Sequence, residues 1–306
     1  MKTLIVAFGG NALIKKGQKG TAEEQLENLK KPLGSIADLL KNHKLIITHG
    51  NGPQVGNILL QQTSNTEVPQ MPLDICVAQS QGQIGYMIEH ALDQVLTDRG
   101  IGDDHLFLTV LSYVHVSSTD PAFQNPSKPI GPAYPENKSK EFGYPMKKTA
   151  KGWRRVVPSP LPEKIYQRRE IKKLLEDNFI IITCGGGGIP VTKENGKIKG
   201  IEAVIDKDLA SAKLGEHVKA NILLMVTDVE GAAINFGKDN QKFLKEIKLV
   251  DLKKYQSEGQ FADGSMGPKV QAAINFLESG GEKAIICNIN KIGEATLGTS
   301  GTQITK

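Results

Sequence analysis

Four charged residues have the type and placement to handle phosphate. Lys207 and Asp208 follow Asp206 at the start of a helical pattern, and Lys269 follows Gly264-Ser265-Met266-Gly267-Pro268 near another helix start. A helix N-terminus carries partial positive charge, so a lysine in the first turn is disfavoured unless an anion is to be met there. Lys207 therefore reads as functional. Asp208 reads equally as a partner for that lysine and as simple complementation of the helix dipole, and Asp206 as an N-cap. Lys128 lies among prolines in Asn125-Pro126-Ser127-Lys128-Pro129-Ile130-Gly131-Pro132. Its neighbours are stiff, but for Lys128 as for Lys269 a solvated surface lysine is the alternative.

Glycine turns are the second feature. Phe179–Cys184 is a short apolar run with strand character, followed by Gly185, Gly186, Gly187 and Gly188 and stopped by Pro190. Turns without Cβ atoms let backbone N–H groups close on an anion; a flexible surface loop is the competing reading. Two further apolar runs end the same way. Leu4–Phe8 runs into Gly9, Gly10 and Asn11, and Leu45–Thr48 into His49, Gly50, Asn51 and Gly52. One such turn is weak. Three on parallel strands point to a polyphosphate or acyl-phosphate site. The spacing Gly50–Gly56 is one residue too long for a dinucleotide fingerprint, and no P-loop motif is present. His49 reads as structural, because no acidic partner is visible in the sequence.

These residues need a frame that brings strand ends together. Strand-like runs alternate with helical patterns at Thr21–Lys41, where Pro32 marks a kink or break, and at Asp74–Arg99, where Gly82 and Gly85 read as close-contact points. Further helices are expected over Glu163–Asp177, Asp206–Glu216 and Ser265–Ser279, and further strands over Leu106–Leu111, Ile222–Val226 and Lys283–Cys287. This alternation predicts an α/β fold, a three-layer α/β/α sandwich with a mainly parallel central sheet. In such sheets ligands sit beyond the carboxyl ends of the strands. Tyr113–Pro162 differs, with recurrent prolines and lysines, and reads as a small protruding subdomain. The expected organisation is one domain over 1–306. Its N-terminal lobe, 1–162, includes an insert at about 113–152, and its C-terminal lobe is 163–306.

Composition narrows the class. The chain has 306 residues and a net charge of +5. That charge suits an anionic small molecule, and no basic block interleaved with aromatics supports a nucleic-acid partner. Cys76, Cys184 and Cys287 are widely spaced, without metal-ligand spacing, which predicts reduced thiols and a cytoplasmic location. No signal-peptide layout or membrane-length apolar run is seen.

The motifs together resemble carbamate kinase, of the amino-acid kinase superfamily. The resemblance rests on Gly9–Ala12, His49–Asn57, Met71–Asp74, Lys128–Gly131, Gly152–Pro160 and Cys184–Pro190. Glu202–Asp208, Thr227–Val229 and Gly264–Lys269 extend it, so that it runs in order from about residue 3 to 304. It implies reversible transfer between carbamoyl phosphate plus ADP and carbamate plus ATP, with Mg²⁺, by a homodimer that makes ATP in arginine or related nitrogen catabolism. It implies that Gly9, Gly10, Asn11, Gly50, Asn51 and Gly52 hold the carbamoyl and phosphate groups. Gly185, Gly186, Gly187, Thr227, Asp228, Ser265 and Met266 match nucleotide positions. Lys128, Lys207 and Lys269 match lysines around the transferring group, and Asp208 the carboxylate that orients them. The alternatives are an acylphosphate-forming kinase for another small carboxylate and a catalytically silent nucleotide-binding regulator.

Overall fold

A computed structural model describes residues 1–15, 17–65, 67–149, 152–261 and 266–306; of Asn11 it describes the backbone alone. Its centre is an eight-stranded sheet. Across the sheet the strands run Glu246–Lys248, Thr302–Thr305, Lys283–Asn288, Ile222–Thr227, Lys2–Phe8, His43–His49, Ile180–Thr183 and Phe107–Val110. Lys283–Asn288 pairs antiparallel with Thr302–Thr305, and the other pairs are parallel. Strands Lys2–Phe8, His43–His49, Ile180–Thr183 and Ile222–Thr227 have apolar, buried centres, as a sheet covered on both faces requires. Leu4, Val6 and Phe8 point to one face and join Leu29, Leu33, Ile36, Ile84, Ile88 and Leu92 from helices Ala22–Ala37 and Leu73–Asp98. Ile5 and Ala7 point to the other and meet Ile171, Ala210, Leu214, Val270 and Phe276. These come from helices Arg168–Glu176, Lys207–Val218 and Met266–Glu278. The result is the three-layer α/β/α arrangement.

Two local expectations change. Helix Ala22–Ala37 continues through Pro32 without a break. Burial of Leu29, Leu33 and Ile36 holds the helix across the missing backbone hydrogen bond, as tertiary packing commonly outweighs a local break. On the long helix, a Cβ at Gly85 would lie 2.5 Å from Thr109 Cγ2, whereas at Gly82 it would meet nothing within 4 Å. Only Gly85 is a close-contact glycine.

Residues 113–165 build away from the main sheet. Tyr113–His115 and Lys164–Ile165 join Ile189–Glu194 and Lys197–Gly200 in a four-stranded sheet. Lys128–Tyr134, Gly152–Val157 and Met146–Thr149 form a separate three-stranded antiparallel sheet. That small sheet is seated on helix Gly52–Ser64 through a third apolar cluster containing Val55, Val77, Ile130 and Val157. The crossing point is Gly56 against Gly131, where a Cβ at Gly56 would sit 1.9 Å from Gly131 Cα. Gly131 also has a φ of +68°, which favours glycine.

Candidate active site

The carboxyl ends of four adjacent strands open into one cleft of about 1180 Å³. The sheet order places the turns after Ile180–Thr183, His43–His49, Lys2–Phe8 and Ile222–Thr227 side by side. The turns after Lys2–Phe8, His43–His49 and Ile222–Thr227 approach one another through backbone atoms. Gly50 N–H donates to the Phe8 carbonyl at 3.0 Å. A Cβ on Gly50 would lie 3.2 Å from Gly10 N, and one on Gly9 would lie 3.3 Å from the Val226 carbonyl oxygen.

The charged centre sits at the start of helix Lys207–Val218. Asp206 caps it, its Oδ1 accepting from Asp208 N at 2.9 Å and Leu209 N at 3.3 Å. Its Oδ2 takes the Lys128 ammonium at 2.6 Å, across from the small sheet. Asp208 lies deeper, at 2% exposure. One of its oxygens receives Lys207 Nζ at 2.5 Å and the other Lys269 Nζ at 3.0 Å. Lys207 Nζ also reaches the Ala7 carbonyl at 3.4 Å, which ties it to the end of the central strand. Behind the cluster, Ser211 Oγ donates to the Lys207 carbonyl at 2.6 Å and lies 2.7 Å from Thr48 Oγ1.

Burial and charge act against each other here. For Asp208, burial favours the neutral acid, but the ammonium groups of Lys207 and Lys269 outweigh it and hold the carboxyl far below its ordinary range. For Lys269, burial opposes the charge and Asp208 more than restores it, so its pKa lies above the usual lysine value. Burial lowers the pKa of Lys207 more than Asp208 recovers, and the like charge of Lys269 lowers it further. An incoming anion would therefore offset the burial that disfavours the Lys207 ammonium. His49 is pushed down to about 4, chiefly by burial, with Lys207 adding repulsion against a hydrogen bond to the Gly50 carbonyl. It is neutral near pH 7, and its ring packs under Gly185 as a structural group.

The cleft collects most of the residues singled out in the sequence. Gly9, Gly10, Gly50, Asn51, Gly52, Lys128, Gly186, Asp206, Lys207, Asp208, Thr227, Asp228 and Lys269 all line it. Gly185, Gly187 and Met266 do not. The four-glycine turn explains the first two. Gly187 N–H donates to the Cys184 carbonyl and Gly188 N–H to that of Gly185, both at 3.0 Å, so these amides serve the turn itself. A Cβ on Gly185 would lie 2.4 Å from the His49 ring, on Gly186 2.1 Å from the Asn51 carboxamide, and on Gly187 2.3 Å from the Ile205 carbonyl oxygen. Close packing between strand ends, more than ligand contact, is what needs glycine at Gly185 and Gly187. Gly186 lies against Asn51, whereas Thr227 and Asp228 lie beyond the central strand. Ser265 and the Asn11 side chain fall outside the described residues.

Sequence reasoning missed a buried polar layer behind the turns. Gln81, on the long helix, donates through Nε2 to the carbonyls of Ser112 and Gly185, both at 3.1 Å, and accepts from Ser112 N at 3.0 Å. Ser112 Oγ in turn accepts from Cys184 N at 2.8 Å. The available signal was Ser80 and Gln81 interrupting the apolar stripe of a helix. Arg154 also lines the cleft, its Nε donating to the Gly131 carbonyl at 2.8 Å. Among the described residues no group of three His, Cys, Asp or Glu could hold a metal ion. A divalent ion accompanying a nucleotide would draw its ligands mainly from phosphate oxygens and water, the usual habit of Mg²⁺.

Buried ammonium groups facing bare strand-end turns define a phosphate-handling α/β enzyme. The amino acid kinase family profile matches residues 2–288. The carbamate kinase of Thermococcus kodakarensis is 49% identical over 316 aligned residues, covering 100% of both chains. That of Oenococcus oeni is 46% identical, covering 100% of this chain and 99% of its own. The structure of carbamate kinase from Giardia lamblia bound to AMP-PNP superposes with a TM-score of 0.91 at 39% identity, covering 100% of this chain and 98% of the other. The chain belongs to the amino acid kinase family, and the relatives it matches along its whole length are carbamate kinases.

Proposed function

We propose that the chain catalyses the reversible transfer of a phosphoryl group between ATP and carbamate, giving ADP and carbamoyl phosphate. The observation that carries this reading is the buried Lys207–Asp208–Lys269 cluster, set in a cleft walled by glycine turns. Phosphoryl transfer asks for charge neutralisation and in-line placement more than for covalent help. Carbamate is already an anion, so its attacking oxygen needs no general base. The site agrees with that: both central carboxylates are engaged by ammonium groups, and His49 stands outside the cleft wall.

In this reading Lys207 and Lys269 balance charge on the transferring group, and Asp208 fixes the two ammoniums at a set spacing. Lys128 approaches from the small sheet and holds two mutually repelling anions together. Gly9, Gly10, Gly50, Gly52 and Asn51 form the carbamoyl side, and the packing of Gly186 on Asn51 supports placing Gly186 with them. Thr227 and Asp228 form the nucleotide side, with Mg²⁺ arriving on the ATP or ADP. A homodimer is supported by exposed Ile75 and Tyr86 on the long helix and by exposed Leu106 and Leu111 flanking the edge strand Phe107–Val110. An unpaired edge with apolar neighbours favours association.

A coupled assay tests the function: ADP, Mg²⁺ and carbamoyl phosphate should yield ATP. No ATP would remove carbamate kinase activity, and ATP formation only from another acyl phosphate would move the acceptor to a different carboxylate.

A further inference from the structure

Asn51 is the residue preceding helix Gly52–Ser64, yet its side chain makes no capping bond. Asparagine in that place ordinarily accepts from an amide in the first turn. Here the carboxamide turns inward, and Nδ2 donates to Ser80 Oγ at 2.8 Å. Ser80, fully buried on the long helix, donates its own proton to the Val77 carbonyl at 2.7 Å. A carbonyl can only accept, so the Ser80 oxygen meets Asn51 as an acceptor, and Asn51 must present N–H to it. Turning the carboxamide over would set two acceptors against each other. Asn51 is 2% exposed and lines the cleft, and its Oδ1 accepts no hydrogen bond among the described residues.

Two things follow at one point in the cleft. The first-turn amides of a 13-residue helix are left free of a side-chain cap and available to an anion. Beside them stands one acceptor whose sense is fixed from behind. Carbamate and the carbamoyl group have matching parts: oxygens that accept, and an amino group that donates.

We propose that Asn51 is a specificity-determining residue whose Oδ1 accepts from the substrate amino group, and that Ser80 is a positioning residue that keeps the carboxamide in that sense. The inference rests on the function proposed above. It predicts discrimination against acetyl phosphate, which carries a methyl of similar size and no proton to donate.

The test compares kcat/KM for ATP formation from ADP with carbamoyl phosphate and with acetyl phosphate. The proteins are the unmodified enzyme, Ser80→Ala and Asn51→Ala. The expected preference for carbamoyl phosphate falls by about 10- to 100-fold in Asn51→Ala and by roughly tenfold in Ser80→Ala. The loss falls on carbamoyl phosphate, with the KM for ADP unchanged. A merely structural role for Ser80 would lower both reactions together, and an unchanged preference in Ser80→Ala overturns its positioning role. An unchanged preference in Asn51→Ala overturns the specificity assignment. ATP formation from carbamoyl phosphate by the unmodified enzyme is the separate check on the underlying function.

Discussion

Two aspartates two residues apart hold lysines in different ways. Asp208 is enclosed, and both its lysine partners belong to the main body, with side chains only 11% and 10% exposed. Asp206 meets Lys128, whose side chain is 33% exposed and is carried by the three-stranded sheet. The first arrangement is preorganised: the charges stand in place before any ligand arrives, in surroundings where each is worth more than in water. The second joins two parts of the molecule that meet at the Gly56–Gly131 crossing and the apolar cluster around it. In the proposed reaction its ammonium passes from Asp206 to an anion in the cleft. There the first cluster supplies charge from the main body, and the second supplies charge carried by the small sheet.

This contrast can be broken at several points. The largest effect is expected from Asp208→Ala, which leaves two buried ammoniums without their counter-charge. Losing one member of a buried set typically costs about 3–5 kcal/mol, and chemical denaturation would register it. A loss near zero would mean that the cluster is open to water. Lys128→Ala should lower kcat by roughly 100-fold and leave both the denaturation midpoint and the ADP affinity nearly unchanged. Substantial destabilisation by Lys128→Ala would make its pair as structural as that of Asp208.

A pH titration of stability addresses the wall behind the turns. His49 has a folded-state pKa of about 4, against an ordinary value of 6.5. As pH falls through that window the unfolded chain takes up a proton that the folded chain refuses, so stability falls with it. The expected loss between pH 7 and pH 5 is about 2 kcal/mol, and His49→Gln should remove that part of the slope. An identical slope in the variant would assign it to other groups. Asp208, held low, adds its own loss only as pH drops below about 3.8. The smallest effect is expected from Ser211→Ala, which unties the Lys207 carbonyl and Thr48 at a cost of about 1 kcal/mol. Thermal unfolding would detect it.

The sequence made the strand ends legible because apolar runs such as Leu4–Phe8 and Phe179–Cys184 are bounded abruptly by glycine. It made Lys207 legible because a cation in a first helical turn has little local justification. What it hid was which amides and carboxamides face the cleft. Gly185 and Gly187 look like Gly186 in the sequence, but packing by His49 and Ile205 separates their roles. Ser80 and Gln81 look like ordinary interruptions of a helix stripe. Their partners, Asn51 and Ser112, are about 30 residues away, with separations of 29 and 31, and only the closed fold pairs them. Asp206 was readable as a cap, and its second oxygen, facing Lys128, was not.

In the proposed reaction, fixed charge from Lys207 stabilises the phosphoryl group in transit rather than anchoring the nucleotide. Single-turnover ATP formation at saturating ADP and carbamoyl phosphate, comparing Lys207→Ala with the unmodified enzyme, tests it most directly. Lys207→Ala should be slower by about 1,000-fold, with ADP affinity changed by less than about threefold. A rate within a few-fold of the unmodified enzyme, or a loss that appears wholly as weakened ADP binding, would contradict it.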